Sequence, residues 1–231
     1  MQLRISCPSP SGILLLPGFL ACFPLPLAAQ EPRSDARIAT RALSVLPPPG
    51  KGWKLTRAPD SLAVAFSHTK KGFPPISSPE ATTITVYLNA TTPANAARGQ
   101  DSVTQDFMDQ EEAQLRAGTS KSFKEDVVLK RVRRDTTTIG GYYLHLFEPT
   151  IEVTTWEGRI QSDQQLYMYF PSDFSSRGQF FLFHITKTHP PKNVFEKQGF
   201  KEILPVIESF RDERAPDLDL RALAPEPPPA P

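Results

Sequence analysis

Three features of the sequence predict an α+β fold, a three-layer α/β/α sandwich on a mostly antiparallel sheet. The stretch 179–186, QFFLFHIT, is apolar on both faces: Phe180 and Leu182 point one way, and Phe181, Phe183 and Ile185 the other. Such a pattern belongs to a central strand covered on both sides. Further on, Phe200, Ile203, Leu204, Ile207 and Phe210 recur at helical spacing, so a closing helix is expected to fold back onto the sheet. Upstream, alternating runs are joined by short turn-rich links, which makes neighbouring strands antiparallel.

The chain opens with Arg4, an apolar run over 13–27, and then Ala28-Ala29-Gln30. This is the arrangement of a secretory signal peptide over 1–29, with cleavage expected after Ala29. Pro17, Gly18, Pro24 and Pro26 interrupt the run, which is also shorter than the ~20 residues of a spanning helix, so no stable membrane span is expected. Ala21-Cys22 offers an alternative, a lipid anchor on Cys22, which the unsuitable Phe19 and Leu20 before it disfavour. The sequence has two cysteines, Cys7 and Cys22, and both fall in this leader. An exported mature form therefore has no disulfide, thiolate nucleophile or cysteine metal ligand available. A periplasmic or extracellular location is expected. With 26 basic against 25 acidic side chains, no overall field draws the protein towards nucleic acid.

Residues 30–49 are polar and then proline-rich, and are expected to form an extended, unpacked lead-in. The domain is expected over 50–211. Trp53 and Leu55 open a first strand; Leu62, Val64 and Phe66 alternate in a second, and Ile84, Val86 and Leu88 in a third. The loop between the second and third carries Lys70, Lys71 and Phe73 with three prolines, which suits an exposed contact surface. A helix is expected over 101–117, capped by Asp101 or Ser102 and stopped by Gly118. A four-strand meander follows, over 125–133, 142–149, 163–170 and 179–186. Pro205 predicts a kink or a helix start in the closing helix. From 212 to 231 the apolar pattern is lost and a disordered proline-rich tail is expected.

Pro49-Gly50-Lys51-Gly52-Trp53 before the first strand, the order of strands and helices, and the ending Ile203-Leu204 through Glu208-Ser209-Phe210-Arg211 resemble the PsbP-like group. That group includes the oxygen-evolving-complex protein PsbP, a Ran-binding nuclear import factor, and bacterial envelope proteins of the DcrB and LpqN type. The resemblance implies an α/β/α sandwich that acts by docking to other proteins rather than by chemistry. With a signal peptide, the envelope type fits best. No family binding motif matches position by position.

No motif carries a reaction. GxSxG and HExxH are absent, and Gly118-Thr119-Ser120-Lys121-Ser122 lacks the glycines of a phosphate-binding loop. His145 and His184 lie in predicted strands, where hydrogen-bonded core histidines are the favoured reading; a zinc site is the alternative if those strands are neighbours. Lys130, Arg131, Arg133 and Arg134 form the densest basic run, suited to an anionic partner or, as favoured here, to an edge strand guarded by charge. Alternation places Lys130, Val132 and Arg134 on one face. Asp106, Asp109, Glu111 and Glu112 read as a solvated helix face rather than a cation site. The expectation is a non-enzymatic docking or accessory module, monomeric and without cofactor, whose partner is an unidentified envelope protein; the alternative is a small-ligand or lipid carrier.

Overall fold

The computed structural model describes residues 32, 35–56, 62–70, 80–117, 126–155, 158–190 and 200–214. In chain order these form β1 (Ile38–Ala39), β2 (Leu43–Val45), β3 (Lys54–Thr56), β4 (Ala63–Lys70), β5 (Glu80–Ala90), α1 (Pro93–Ala97) and α2 (Gln100–Ala117). The meander follows as β6 (Asp126–Ile139), β7 (Tyr142–Thr155), β8 (Gly158–Tyr169), α3 (Phe174–Arg177) and β9 (Gln179–His189). A 3-10 turn (Lys201–Ile203), α4 (Leu204–Glu208) and β10 (Arg211–Asp212) close the fold.

The main sheet has seven strands in the order β3-β4-β5-β9-β8-β7-β6, all paired antiparallel. The strand carrying QFFLFHIT is therefore the middle one, and Phe180, Phe181, Leu182, Phe183 and Ile185 are 0% exposed. Its two faces divide as the alternation predicts. Phe180 and Leu182 pack with Phe147, Leu166 and Met168 beneath Val103, Phe107 and Met108 of α2. Phe181, Phe183 and Ile185 pack on the opposite side with Ile203, Val206, Ile207 and Phe210 of the closing segment. Phe210 is a hub there, its ring centroid 4.8 Å from that of Phe181, 5.1 Å from Phe183 and 5.6 Å from Tyr142. The architecture is an α+β sandwich.

Turn chemistry fixes the meander. Gly140 and Gly141 join β6 to β7 with φ of 59° and 86°, and Ile139 pairs with Tyr142 across them. Two successive positive φ values suit the twist of a two-residue hairpin and favour glycine at both places. Pro205 stands at the first turn of α4, where its missing N–H costs no helical bond. It starts the helix, one of the two outcomes expected.

The packed region is wider than 50–211. Within the expected lead-in, Ile38, Leu43 and Val45 are buried in the closing-side core, and β2 pairs with β1 on one side and β10 on the other. The tail boundary also moves. Arg211 and Asp212 pair with Ser44 and Leu43, and the Glu213 amide donates to the Ala42 carbonyl at 2.9 Å. Arg214 follows with its side chain 3% exposed; it donates to Asp173 at 2.8 Å, to Asp212 at 2.6 Å and to Gln179 Oε1 at 3.0 Å, and lies over the Phe181 ring. Strands of two or three residues are too short to show a period of two, and neither residue of β10 is apolar or buried.

Truncation should separate the two boundaries. Ending the chain after Phe210 removes β10 and the Arg214 hydrogen bonds to Asp173 and Gln179, at a cost on the order of 3 kcal/mol. Ending it after Arg214 keeps both. Urea denaturation of the two truncated chains measures the difference, and equal midpoints would return the boundary to 211.

Candidate functional site

At one end of the sheet, on the face that carries the closing segment, the core gives way to polar side chains. Register places His68 of β4 opposite Thr82 of β5, Thr82 opposite Lys187 of β9, Lys187 opposite Asp163 of β8, and Asp163 opposite Thr150 of β7. Directly paired residues share a face, so these five form one row across five strands.

The row is tightly bonded through its middle. Lys187, 7% exposed, sits 2.8 Å and 3.0 Å from the two carboxylate oxygens of Glu202 in the 3-10 turn and 5.4 Å from the centre of the Phe200 ring. His189, 3% exposed, has Nδ1 2.8 Å from the Pro190 carbonyl and Nε2 3.0 Å from Asp163 Oδ2. Asp163 also accepts from Thr150 Oγ1 and Gln161 Nε2, each at 3.0 Å. Both nitrogens of His189 thus lie within hydrogen-bond distance of an oxygen of the protein.

Beside this network a cleft of about 240 Å³ opens, with Lys51, Trp53, His68, Glu80, Lys187 and Glu202 among its lining. The loop 49–52 forms one wall. Trp53 donates its indole N–H to the Pro49 carbonyl at 3.2 Å and stacks at a tilt on His68, with centroids 5.3 Å apart. Gly52 has φ +84°, and a Cβ there would meet Cδ2 and Nε2 of His68 at 3.2 Å. Glycine at this place supplies both the backbone conformation and the room for the ring.

The basic run behaves differently. β6 is the sheet's edge strand, and its cations face neighbouring carboxylates: Arg134 reaches Asp109 at 2.7 Å and Glu112 at 2.8 Å on α2, Lys130 lies 3.5 Å from Glu152, and Arg133 pairs with Asp135 and Glu148. Hydrogen bonding to Arg134 and then Gln105 holds the Asp109 carboxyl below its usual range; bonds to Arg116 and then Arg134 do the same for Glu112. Arg131 is exposed and has no ion pair among the described residues. The expected grouping of Lys130 with Val132 and Arg134 needs correction, because the register shifts between Leu129 and Arg131. Lys130 is the extra residue of a β-bulge, so simple alternation does not pass through it. Lys70 ends β4 opposite Glu80, while Lys71 and Phe73 lie outside the described residues.

The helix carboxylates are more engaged than a plain solvated face. Asp106 pairs with Arg98 at 2.6 Å, Asp109 and Glu112 hold Arg134, and burial raises the Glu111 carboxyl. The two strand histidines are not neighbours: β8 lies between β7 and β9, and no metal-ligand cluster forms among the described residues. His145 is buried with Nε2 3.8 Å from Asp101 and no hydrogen bond among the described residues, and burial lowers its pKa. His184 has Nε2 3.1 Å from both Gln164 Oε1 and Thr186 Oγ1. Desolvation pushes its pKa down to about 4. Strand position and ligand spacing single out His145 and His184 in the sequence and give no reading of His68 and His189. The missed signal was the polar run Thr186-Lys187-Thr188-His189 at the end of the most apolar strand.

No family model and no curated protein matches this chain. Solved structures share similarity at low identity. One is LpqN of Mycobacterium tuberculosis, described as involved in cell envelope biogenesis, with 12% identity, a TM-score of 0.38, and coverage of 80% of this chain and 91% of that one. Another is PA94, a Pseudomonas aeruginosa protein of unknown function, with 14% identity, a TM-score of 0.31, and coverage of 60% and 83%. At these TM-scores neither likeness carries an argument about what this protein does.

His184 sets an acid limb. Its folded pKa of about 4 lies below the unfolded histidine value near 6.5, so the unfolded chain binds the proton more readily between them. Stability should be complete above about pH 6.5 and fall as pH drops towards 4, by up to about 1.4 kcal/mol per pH unit from this group. Denaturation series at pH 7 and pH 5 should show a smaller difference for His184→Gln than for the parent chain. An unchanged difference would remove His184 as its source.

Proposed function

We propose that this protein is an exported, non-enzymatic accessory module of the cell envelope that works by docking its surface to another envelope protein. The observation that carries this reading is the packing of the central strand. Side chains of Phe180 and Leu182 fill one face and those of Phe181, Phe183 and Ile185 the other, each under a second layer. A carrier of lipids or similar ligands needs an apolar cavity of several hundred cubic ångströms, whereas both faces of the central strand are covered by buried apolar side chains.

Export rests on the Arg4, apolar 13–27 and Ala28-Ala29-Gln30 arrangement. Among the described residues, no helix is long and apolar enough to cross a membrane. The PsbP-like resemblance points to the same docking role. The exposed cation Arg131 on edge strand β6 and the rim residue Lys51 are the positions from which contact is best sought.

Site-specific photo-crosslinking tests the proposal. The full chain carrying a photoreactive residue at position 131 or 51 should give a discrete, reproducible adduct with one envelope protein of its native cell. Absence of any adduct from both positions, with the chain present at native level, would contradict docking.

A further inference from the structure

Two lysines, Lys51 and Lys187, and two carboxylates, Glu80 and Glu202, line the cleft beside the polar row. Glu202 is neutralised by Lys187, and Glu80 is itself engaged. The side chains of Lys51, His68 and Thr82 have no hydrogen bond or ion pair among the described residues, although all three line the same cleft. His68 and Thr82 are cross-strand partners on one face, and Lys51 adjoins Gly52, whose backbone lies against the His68 ring. The uncommitted groups are thus an ammonium, an imidazole and a hydroxyl, each able to donate a hydrogen bond, with one fixed positive charge between them.

We propose that this cleft is a binding site for a single carboxylate group, held by the Lys51 ammonium and hydrogen-bonded by His68 and Thr82. One free lysine balances one negative charge. A phosphate dianion is the poorer fit, because one free lysine balances only one of its charges. Size sets a further limit. About 240 Å³ lies below the 300–1,000 Å³ of sites for larger organic ligands, so the occupant is a small acid or the acidic side chain of another protein. The walls are preorganised, because Trp53 is fixed by its bond to Pro49 and Gly52 gives His68 its place, so little ordering accompanies binding. This site rests on its own geometry and not on the docking proposal above.

Trp53 is a built-in reporter, since its ring lies 5.3 Å from that of His68. In the full chain carrying Trp156→Phe, Trp53 fluorescence is titrated with propionate, with a capped Gly-Glu-Gly peptide, with its Gly-Gln-Gly counterpart and with inorganic phosphate. A saturable change is expected with propionate or the glutamate peptide and none with the glutamine peptide; the tighter binder identifies a free acid or a protein side chain as the source. Lys51→Gln, at an exposed position, and His68→Gln should each weaken that binding by about tenfold. The proposal is overturned by no saturable change with either carboxylate, by an equal response to the glutamine peptide, by tighter binding of phosphate, or by affinity unchanged in Lys51→Gln.

Discussion

Burial of β9 on both faces is the constraint on which the remaining structure depends. A strand with one apolar face needs one covering layer, whereas Phe180 and Leu182 on one side and Phe181, Phe183 and Ile185 on the other need two. Helix α2 supplies the first. The second is assembled from pieces far apart in sequence: β1 and β2 from before the main sheet, and the 3-10 turn, α4 and β10 from after it. These pieces are short, and polar clamps hold them together. Arg37 reaches the Ser209 carbonyl at 2.6 Å, Ser44 donates to Glu213 at 2.7 Å, and Arg214 ties β10 to Asp173 and Gln179.

The same strand changes character towards its end, and the candidate site arises there. After Ile185 its inward positions are Lys187 and His189, placed under the 3-10 turn where an apolar layer would otherwise continue. Buried charged and polar groups are costly unless paired, and each here has a partner: Glu202 for Lys187 and Asp163 for His189. Because those partners come from the closing segment and from β8, the pairs fix the register of that layer as well as satisfying the charges. The cleft lies where this network ends, at His68 and the loop 49–52.

What the sequence revealed follows from how each feature is encoded. Two-sided alternation in QFFLFHIT and the Gly140-Gly141 link are local patterns, and both placed their elements correctly. The closing layer was legible as Ile203, Ile207 and Phe210, and the start at Pro205 followed from its missing donor. β1, β2 and β10 were not legible, since two- and three-residue strands carry no periodicity and Arg211-Asp212 looks like tail. The bulge at Lys130 was hidden because a register shift belongs to a strand pair rather than to one strand. The row from His68 to Thr150 could not be read either: its members are scattered over five strands and meet only through pairing.

Hydrogen exchange tests the two-sided burial of β9 most directly. If the two layers close on β9 as described, the amides of Phe181, Leu182 and Phe183 should exchange only through global unfolding, with a free energy equal to that from denaturant. Exchange of these amides through a smaller opening, faster than that of β4, would mean that the layers part in the native state and that the interior can admit a ligand.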